Sequence, residues 1–200
     1  MQIGGYLRKS LLGTLISCLF IALVCAAAED SPGRKYYANR KFEFCVQRPA
    51  NWSLSESFTR NGATMAPGNV TAFSRPPRIT VGAHMNQPNQ SGSEPQTLDE
   101  NVQAIVDSLK EYGAAQDVQV LKKDGLTLQG LRAQAITLKF TDKSSENQWF
   151  QKDVNLIDQA NTVYFVELKC HPKDAGVLEP VFDELVQSLR IRCNNKTRPE

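Results

Sequence analysis

The first informative part of the mature chain alternates apolar and polar residues. Phe42, Phe44 and Val46 occupy every second position, with polar residues or a cysteine between them. A period of two predicts a strand whose two faces have different surroundings. Pro49 ends the pattern, because proline has no amide hydrogen to donate to a neighbouring strand. The alternation resumes three residues later, so this segment predicts two strands joined by a proline-containing turn.

A helical pattern follows in the middle of the chain. Apolar residues recur every three or four positions over residues 98–112, and Gly113 follows. Thr97 and Glu100 have the spacing of a capping box, in which each side chain accepts a hydrogen bond from the other residue's backbone amide. A helix is therefore predicted over residues 98–112.

The second half of the chain predicts further strands. Residues 118–121 and 126–129 flank Lys122-Lys123-Asp124-Gly125, which predicts a hairpin turn because its glycine can take a positive φ. Gly130 indicates a bend within the strand that continues from this hairpin. The later β-rich segments predict strands over residues 133–140, 149–157 and 162–170.

The last predicted element is a second amphipathic helix. Its apolar stripe begins at Val177 and ends at Leu189. Pro180 is tolerated in the first turn of a helix but not in its interior, so the regular part is predicted to start near residue 179.

Several of these strands are apolar on both faces. In the last long strand, Val163 and Phe165 alternate with Tyr164 and Val166, so neither face suits water. A sheet buried on both sides needs a cover on each side, and the two predicted helices can supply one each. The predicted fold is α+β: an antiparallel β-sheet flanked by a helix on each face, which is an α/β/α sandwich.

The chain begins with the features of an export signal. Arg8 and Lys9 precede an apolar run from Leu11 to Val24, and small residues follow the run. The run is shorter than the about 20 residues of a membrane-spanning helix, and the small residues suit signal peptidase. Residues 1–28 are therefore predicted to be a signal peptide. The mature protein is expected in the periplasm or outside the cell, with no membrane span after cleavage.

Two alternatives for the N-terminus stay open. Lipidation would attach to Cys25, although the bulky Val24 occupies the preceding position, where a lipoprotein signal has a small residue. An uncleaved leader would act as an anchor. After the leader, the predicted layout is a flexible N-terminal arm, a single domain and a C-terminal tail, over residues 29–40, 41–193 and 194–200.

The mature chain carries no formal net charge. The full sequence has 23 Lys and Arg against 21 Asp and Glu, and removal of Arg8 and Lys9 with the leader leaves 21 of each. Nucleic-acid affinity comes mainly from a basic surplus, so DNA and RNA are excluded as partners. A mature chain of about 170 residues is long enough for one domain with one hydrophobic core.

Three cysteines remain after cleavage: Cys45, Cys170 and Cys193. In an oxidising compartment this number predicts one disulfide and one free thiol. A terminal helix of about 10 to 15 residues, rising 1.5 Å per residue, would carry Cys193 beyond the about 7 Å between Cα atoms that a bridge to Cys170 allows. Cys45 is therefore predicted in the bridge, and Cys193 is its favoured partner. Three buried, reduced cysteines are the alternative.

Residues suited to catalysis are few. His84 and His171 are the two histidines of the sequence. Cys170 and His171 invite a metal or nucleophile interpretation, but neighbouring strand residues point to opposite faces, and neither lies in a glycine-framed nucleophile turn. Phosphate-binding loops and paired-cysteine spacings do not occur in the sequence. No catalytic residue, metal ligand or cofactor is therefore predicted.

The segment over residues 61–95 holds five of the ten prolines, so it has room only for short strands such as residues 79–83. Long connecting segments in a compact domain often carry binding residues. Arg75 and Arg78 flank a proline pair, and His84 follows on the nearby strand. These three are the predicted binding residues, suited to an acidic or carboxylate-bearing partner. A solvated loop without a binding role is the alternative.

Two short stretches carry a resemblance to a known family. The strand over residues 42–46 is followed by Arg48-Pro49-Ala50-Asn51-Trp52, and Leu185-Val186-Gln187-Ser188-Leu189 lies in the last helix. Both resemble segments of the PsbP-like fold of exported and thylakoid-lumen proteins, whose order of elements is similar over about residues 36–192. The resemblance implies a fold and an accessory or binding role, with no shared catalytic residues. It does not imply photosystem binding, because the leader lacks a long serine-rich transit segment.

These observations favour an exported, non-enzymatic binding or accessory domain of the bacterial envelope. Its expected partner is an envelope or extracellular protein. The alternative is a periplasmic hydrolase that depends on histidine or a metal and works through His84 or through Cys170 and His171.

Overall fold

The computed structural model describes residues 33–68, 76–88, 95–111 and 115–193. The predicted signal peptide, Arg75 and the predicted C-terminal tail lie outside these ranges. Within them the chain forms two antiparallel sheets and two α-helices, which is an α+β fold. Within these ranges, neither α-helix is long and apolar enough to cross a bilayer.

The elements follow one another along the chain as strands, a helix, four long strands, a second helix and a short last strand. In chain order they are β1 (Arg34–Asn39), β2 (Phe44–Pro49), β3 (Trp52–Glu56), β4 (Gly62–Pro67), β5 (Arg78–Met85), α1 (Leu98–Glu111), β6 (Ala115–Leu128), β7 (Leu131–Asp142), β8 (Gln148–Ile157), β9 (Thr162–Cys170), a 3₁₀ turn (Pro172–Asp174), α2 (Ala175–Ser188) and β10 (Arg190–Ile191). The smaller sheet has the order β1-β2-β10, and the larger has the order β3-β4-β5-β9-β8-β7-β6.

Strand β1 lies in the segment that the sequence predicted as a flexible arm. It pairs antiparallel with β2, from Arg34 opposite Pro49 to Asn39 opposite Phe44. Tyr37 is buried, and its ring centroid lies 6.0 Å from that of Phe44. Residues 34–39 therefore form a strand where the sequence predicted a flexible arm. Burial of the Tyr37 ring stabilises this extended segment.

The hairpin of β6 and β7 differs from the prediction. Residues 122–125, the predicted turn, continue β6 and pair with residues 134–137 of β7. The turn lies instead at Gln129 and Gly130, whose φ angles are 51° and 77°. Two consecutive positive φ angles are typical of the tight hairpin turn that favours glycine. The predicted turn is wrong because β6 is an edge strand, where exposed lysines are compatible with strand structure.

Helix α1 begins where the sequence predicted, and its capping box is present. Thr97 Oγ1 accepts a hydrogen bond from the Glu100 amide at 3.2 Å, and the Glu100 carboxylate accepts one from the Thr97 amide at 2.6 Å. The buried side of the helix, with Val102 and Val106, packs against β7. Among the described residues, α1 contacts the end of the larger sheet formed by β6, β7 and β8.

Helix α2 begins four residues before the predicted start. Ala175 is its first residue, and Pro180 lies inside the helix. A proline there removes one backbone hydrogen bond. Phe182 and Leu185, which follow it, are completely buried. Their burial offsets the cost of the proline, because each large apolar side chain contributes about 1.5–3 kcal/mol when it leaves water.

The main hydrophobic core lies between α2, the smaller sheet and one face of the larger sheet. Phe44 and Val46 of β2 pack there against β5, β8 and β9. This face is therefore covered by α2 together with a second sheet, while α1 covers only part of the other face within the described chain. The expectation of one helix as the cover of each face is wrong, because the N-terminal strands and β10 form a sheet that the sequence did not predict.

The disulfide joins Cys45 of β2 to Cys193, the pair that the sequence favoured. Their Cα atoms are 5.9 Å apart, and 148 positions separate them in the sequence. Next to this bond, β10 pairs with β2 through Arg190 and Ile191. The two ends of the described chain are therefore fastened to each other. Cys170 is buried and has no disulfide partner.

Candidate functional site

Two of the three predicted binding residues, Arg78 and His84, lie on β5, and Arg75 lies outside the described residues. Both side chains belong to the face of the larger sheet on which α1 packs, as the strand register shows. Six positions along a strand correspond to about 20 Å, so the structure does not bring these two side chains together.

Arg78 is part of a row of polar side chains across β5, β9 and β8, which we call the polar row: Arg78, Gln151, Asp153, Glu167 and Lys169. The guanidinium of Arg78 lies 3.4 Å from the Glu167 carboxylate. The amide of Gln151 donates a hydrogen bond to Asp153 Oδ2 at 2.9 Å. Arg78, Glu167 and Asp153 therefore have partners within the row, and Lys169 is near enough to the two carboxyls to interact with them electrostatically.

Asp153 is the most deeply buried charge of the polar row, with 4 % of its surface exposed. Burial raises the pKa of its carboxyl well above the usual range, and the neighbouring Glu167 raises it further, against smaller opposing effects of Gln151 and Lys169. Burial also lowers the pKa of Lys169, and Arg78 lowers it further. Both shifts disfavour charge, which is typical of a row enclosed by the protein.

The two histidines are at opposite ends of β9. His84 pairs near its first residue, whereas His171 follows its last residue, so about 26 Å of strand separates them. The His84 ring lies 6.1 Å from that of Phe165, and the His171 ring stacks 4.3 Å from that of Trp149. Within the described ranges, His, Cys, Asp and Glu form no group of three that could hold a metal ion.

Cys170 and His171 also fail to converge on one site. The cysteine side chain lies in the main core, whereas the histidine stacks on Trp149, which belongs to a different cluster on the other face of the sheet. Burial raises the pKa of the Cys170 thiol to about 11, and Asp174 contributes in the same direction. A thiol with this pKa is protonated at neutral pH and is a poor nucleophile.

A groove of about 770 Å³ opens where the free edges of the two sheets come together. Strand β1 is the end strand of the smaller sheet, and β3 is the end strand of the larger sheet. We call this cavity the basic groove. The charged residues that line it are Arg40, Lys41, Arg48, Glu56 and Arg60.

Asn39 fixes the two loops that form one end of the basic groove. Its side chain is 5 % exposed, and its Oδ1 accepts hydrogen bonds from the amides of Lys41 at 3.1 Å and Phe42 at 3.0 Å. Its Nδ2 donates to the carbonyl of Arg60 at 2.9 Å. Asparagine favours such turns because its side chain substitutes for a backbone group. One buried amide therefore holds both the loop after β1 and the turn after β3.

Among the described residues, the cations of the basic groove have no carboxylate partner. In the part of the chain that the structure describes, no ion pair includes Arg40, Lys41, Arg48 or Arg60. The cations that do form ion pairs are Arg34, Arg78, Lys122, Lys123 and Lys152. The groove thus concentrates positive charge that the described fold leaves uncompensated, with Glu56 as the one acidic residue of the lining.

Two of these cations are held in place by neutral oxygens. The ammonium of Lys41 donates to the carbonyl of Thr59 at 3.2 Å and to Asn61 Oδ1 at 2.6 Å. The guanidinium of Arg48 donates to the carbonyl of Trp52. Burial lowers the pKa of Arg48, and its Nε atom has no hydrogen-bond partner among the described residues. Both cations are therefore oriented without an ion pair in the described part of the chain.

A fully exposed aromatic residue, Phe58, directly precedes Thr59, which lines the groove. Phe58 lies in the turn between β3 and β4, and its side chain is not buried against any described residue. The turn itself is ordered, since Ser57 accepts hydrogen bonds from the amides of Arg60 at 2.9 Å and Asn61 at 3.0 Å. Aromatic side chains and arginines are both enriched in protein interfaces.

Local sequence patterns do not predict the basic groove. Its lining comes from several short segments between residues 36 and 60, and these meet only after β1 pairs with β2 and the two sheets pack together. One signal was present: Arg34, Lys35, Arg40, Lys41 and Arg48 form a basic cluster around the first strands. Such a cluster predicts a cationic surface but not its shape.

Comparisons with known proteins identify the fold. No protein-family model matches the sequence, and no curated protein matches it. The structure of cyanobacterial PsbP (CyanoP) from Synechocystis sp. PCC 6803 is similar, with a TM-score of 0.58 and 10 % sequence identity over 90 % of this chain and 99 % of that chain. LpqN of Mycobacterium tuberculosis, described as involved in cell envelope biogenesis, has a TM-score of 0.49 and 12 % identity over 82 % of this chain and 87 % of that chain.

The likeness to CyanoP concerns the fold alone, because a shared fold does not transfer a function. It agrees with the fold that the sequence resemblance implied. The chain has a PsbP-like fold.

Proposed function

We propose that the mature chain is an exported, non-enzymatic accessory domain that binds a protein partner through the basic groove. The observation that carries this proposal is the set of four cations in the groove lining that have no ion pair in the described chain, against one lining carboxylate. Neutral oxygens orient two of them, Lys41 and Arg48. Uncompensated charge in a concave surface attracts an oppositely charged partner and selects its orientation.

Export is supported by the disulfide and by the predicted leader over residues 1–28. A disulfide between Cys45 and Cys193 persists in oxidising compartments and is rare in the cytosol. The proposed location is therefore the periplasm or the cell exterior.

A non-enzymatic role is supported by the positions of the groups suited to catalysis. His84 and His171 are about 26 Å apart along the sheet, and the raised pKa of Cys170 keeps its thiol protonated. The acidic groups of the polar row are engaged by Arg78, Gln151 and Lys169. The basic groove, in contrast, has cations without a described ion pair, and these are available to bind a partner.

Site-specific photo-crosslinking in cells of the source organism tests the proposal. A photoreactive residue replaces Thr59, which lines the groove, or Lys143, an exposed control position outside it. We expect a discrete protein adduct from position 59 and none of that size from position 143. Addition of Arg40→Gln and Arg60→Gln should remove most of the adduct, because both side chains line the groove.

The matched control carries Lys143→Gln and Lys173→Gln, which remove the same charge from exposed positions outside the groove. This control should retain the adduct. Equal adducts from both photoreactive positions, or none from either, would overturn the proposal. Stoichiometric metal in the purified chain, or a hydrolytic activity lost on replacement of His84 and His171, would favour an enzyme instead.

A further inference from the structure

We propose that the ligand of the basic groove is an extended, acidic polypeptide segment that adds as a strand to the free edge of β1. This inference rests on the proposed function and names the chemistry of the partner at the same site.

The first observation is the open edge of β1. Strand β1 ends the order β1-β2-β10, and β2 is its one strand partner in the described chain. Every edge strand presents backbone N–H and C=O groups that a further strand can pair with, and such strand addition is a common mode of peptide recognition. The six residues of β1 span about 20 Å, which is enough for a peptide segment of similar length.

The second observation is where the cations lie relative to that edge. Arg40 and Lys41 directly follow β1, and the turn that carries Arg60 is fastened to Asn39, the last residue of β1. Arg48 projects from β2 on the core-facing side of the smaller sheet, since it shares the face of Val46. Cations therefore flank β1 from three separate segments: Arg40, Lys41 and Arg60 lie at its C-terminal end, and Arg48 lies opposite Lys35 near its start.

The third observation is the geometry of a strand laid along this edge. Alternate side chains of a strand point to the same side and are about 7 Å apart. A segment with acidic residues at alternate positions would direct a row of carboxylates into the groove while its backbone pairs with β1. Arginine forms paired hydrogen bonds with carboxylates, so three of the four cations are suited to this recognition.

A charged edge has another established use, which is to prevent association between sheets. Edge protection predicts that no added strand binds. A simple anion site predicts that charge alone, without an extended backbone, is sufficient. The experiment has to separate strand addition from both.

The test uses the purified mature chain with its disulfide intact and three synthetic peptides, at low ionic strength. The first peptide alternates Glu with Val or Thr. The second has the same charge but proline at two central positions, which removes backbone donors. The third has Lys in place of Glu. Affinity is measured by calorimetry, and amide hydrogen exchange is measured over residues 34–39.

We expect the alternating acidic peptide to bind and to slow amide exchange in β1. Arg40→Gln with Arg60→Gln should weaken this affinity by about tenfold or more, and the proline-containing peptide should bind the unchanged protein about tenfold more weakly. Lys143→Gln with Lys173→Gln should change the affinity by less than about twofold, since exposed charges outside the site contribute little. The Lys-containing peptide should not bind.

Equal binding of the two acidic peptides would overturn strand addition and leave an anion site. Absence of binding by the alternating acidic peptide, or binding without any change in the exchange of residues 34–39, would overturn the inference as well. The peptide measurements can fail while the crosslinking test of the proposed function succeeds, so the two proposals are tested separately. If the crosslink at Thr59 persists while the acidic peptide does not bind, the groove has a partner of a different kind.

Discussion

The polar row and the basic groove both concentrate charged side chains, but they differ in how those charges are balanced. In the polar row, Arg78 pairs with Glu167, and Asp153 accepts a hydrogen bond from Gln151. In the basic groove, none of the cations has a described ion pair, and carbonyl and amide oxygens hold two of them, Lys41 and Arg48.

This difference separates charges that stabilise the fold from charges that are open to a ligand. A change in the polar row leaves another buried group without its partner, so it should lower stability. A change of an exposed groove cation removes no ion pair and should leave stability almost unchanged. Peptide binding should be weakened by a change of a groove cation and should not be affected by a change in the polar row.

The largest expected effect comes from the bond that fixes β2, the strand that carries Arg48. Replacement of both Cys45 and Cys193 by Ala should lower the free energy of unfolding by about 2–5 kcal/mol, because the unfolded chain loses the constraint of a very long closed loop. Urea denaturation measures this loss. Cys170→Ala is the control that leaves the bridge intact and should cost about 1 kcal/mol. Equal stability of the bridge variant and the unchanged protein would contradict the role assigned to the bond.

The next effect concerns Asn39, which holds the groove loops. Asn39→Ala removes its hydrogen bonds to Lys41, Phe42 and Arg60 and should cost about 2–3 kcal/mol, at about 1 kcal/mol for each bond. The variant should also bind the acidic peptide more weakly, because both loops lose the hydrogen bonds that hold them. Full peptide affinity in this variant would show that the groove does not need these loops in place.

A smaller effect is expected in the polar row. Lys169→Met keeps the length of the side chain but leaves Asp153 and Glu167 without the neighbouring ammonium, and it also removes the contact of that ammonium with the Phe140 ring at 4.8 Å. We expect a loss of about 1–2 kcal/mol in urea denaturation. Peptide affinity should not change. If Lys169→Met left stability unchanged but reduced the affinity for the acidic peptide, the polar row and not the basic groove would be the region that contributes to binding.

The polar row should also make stability depend on pH. The folded Asp153 carboxyl has a raised pKa, so it keeps its proton at pH values where the unfolded carboxyl, with an ordinary pKa near 3.8, has lost it. Its contribution to stability is therefore highest in acid and falls as pH rises from about 4 through the raised pKa. Urea denaturation at several pH values should show that Asp153→Asn gains stability relative to the unchanged protein as pH rises.

Asp142 provides a control of opposite sign. Hydrogen bonds from Ser144 and Ser145 lower the pKa of its carboxyl, so its contribution is present above the ordinary pKa near 3.8 and is lost as pH falls. Asp142→Asn should therefore lose stability relative to the unchanged protein as pH rises. Parallel pH curves for both variants would contradict the burial of the Asp153 charge.

The parts of the fold that local patterns determine could be predicted. The strand over residues 162–170 and the start of α1 at residue 98 follow from alternation and from a capping box, which depend on neighbours in the sequence. The turn at residues 122–125 was predicted wrongly because a second candidate turn, at Gln129 and Gly130, lies a few residues away. The pairing of β6 with β7 decides between the two, and local sequence does not show that pairing.

The candidate site could not be predicted because its determinants are distant in the sequence. Arg78 was predicted as a binding residue, and local sequence gives no sign of its ion pair, because Glu167 lies 89 positions away on β9. The basic groove depends on how the edges of two sheets meet, and the smaller sheet includes β10 at the far end of the chain. Local patterns carry no information on either arrangement.

The most direct measurement compares stability and binding in one variant, Arg40→Gln with Arg60→Gln. Both side chains are exposed and have no described ion pair, so the free energy of unfolding should change by less than about 0.5 kcal/mol in urea denaturation. The affinity for the alternating acidic peptide should fall by about tenfold or more in the same preparation. Unchanged affinity, or a loss of stability large enough to account for weaker binding, would contradict the account.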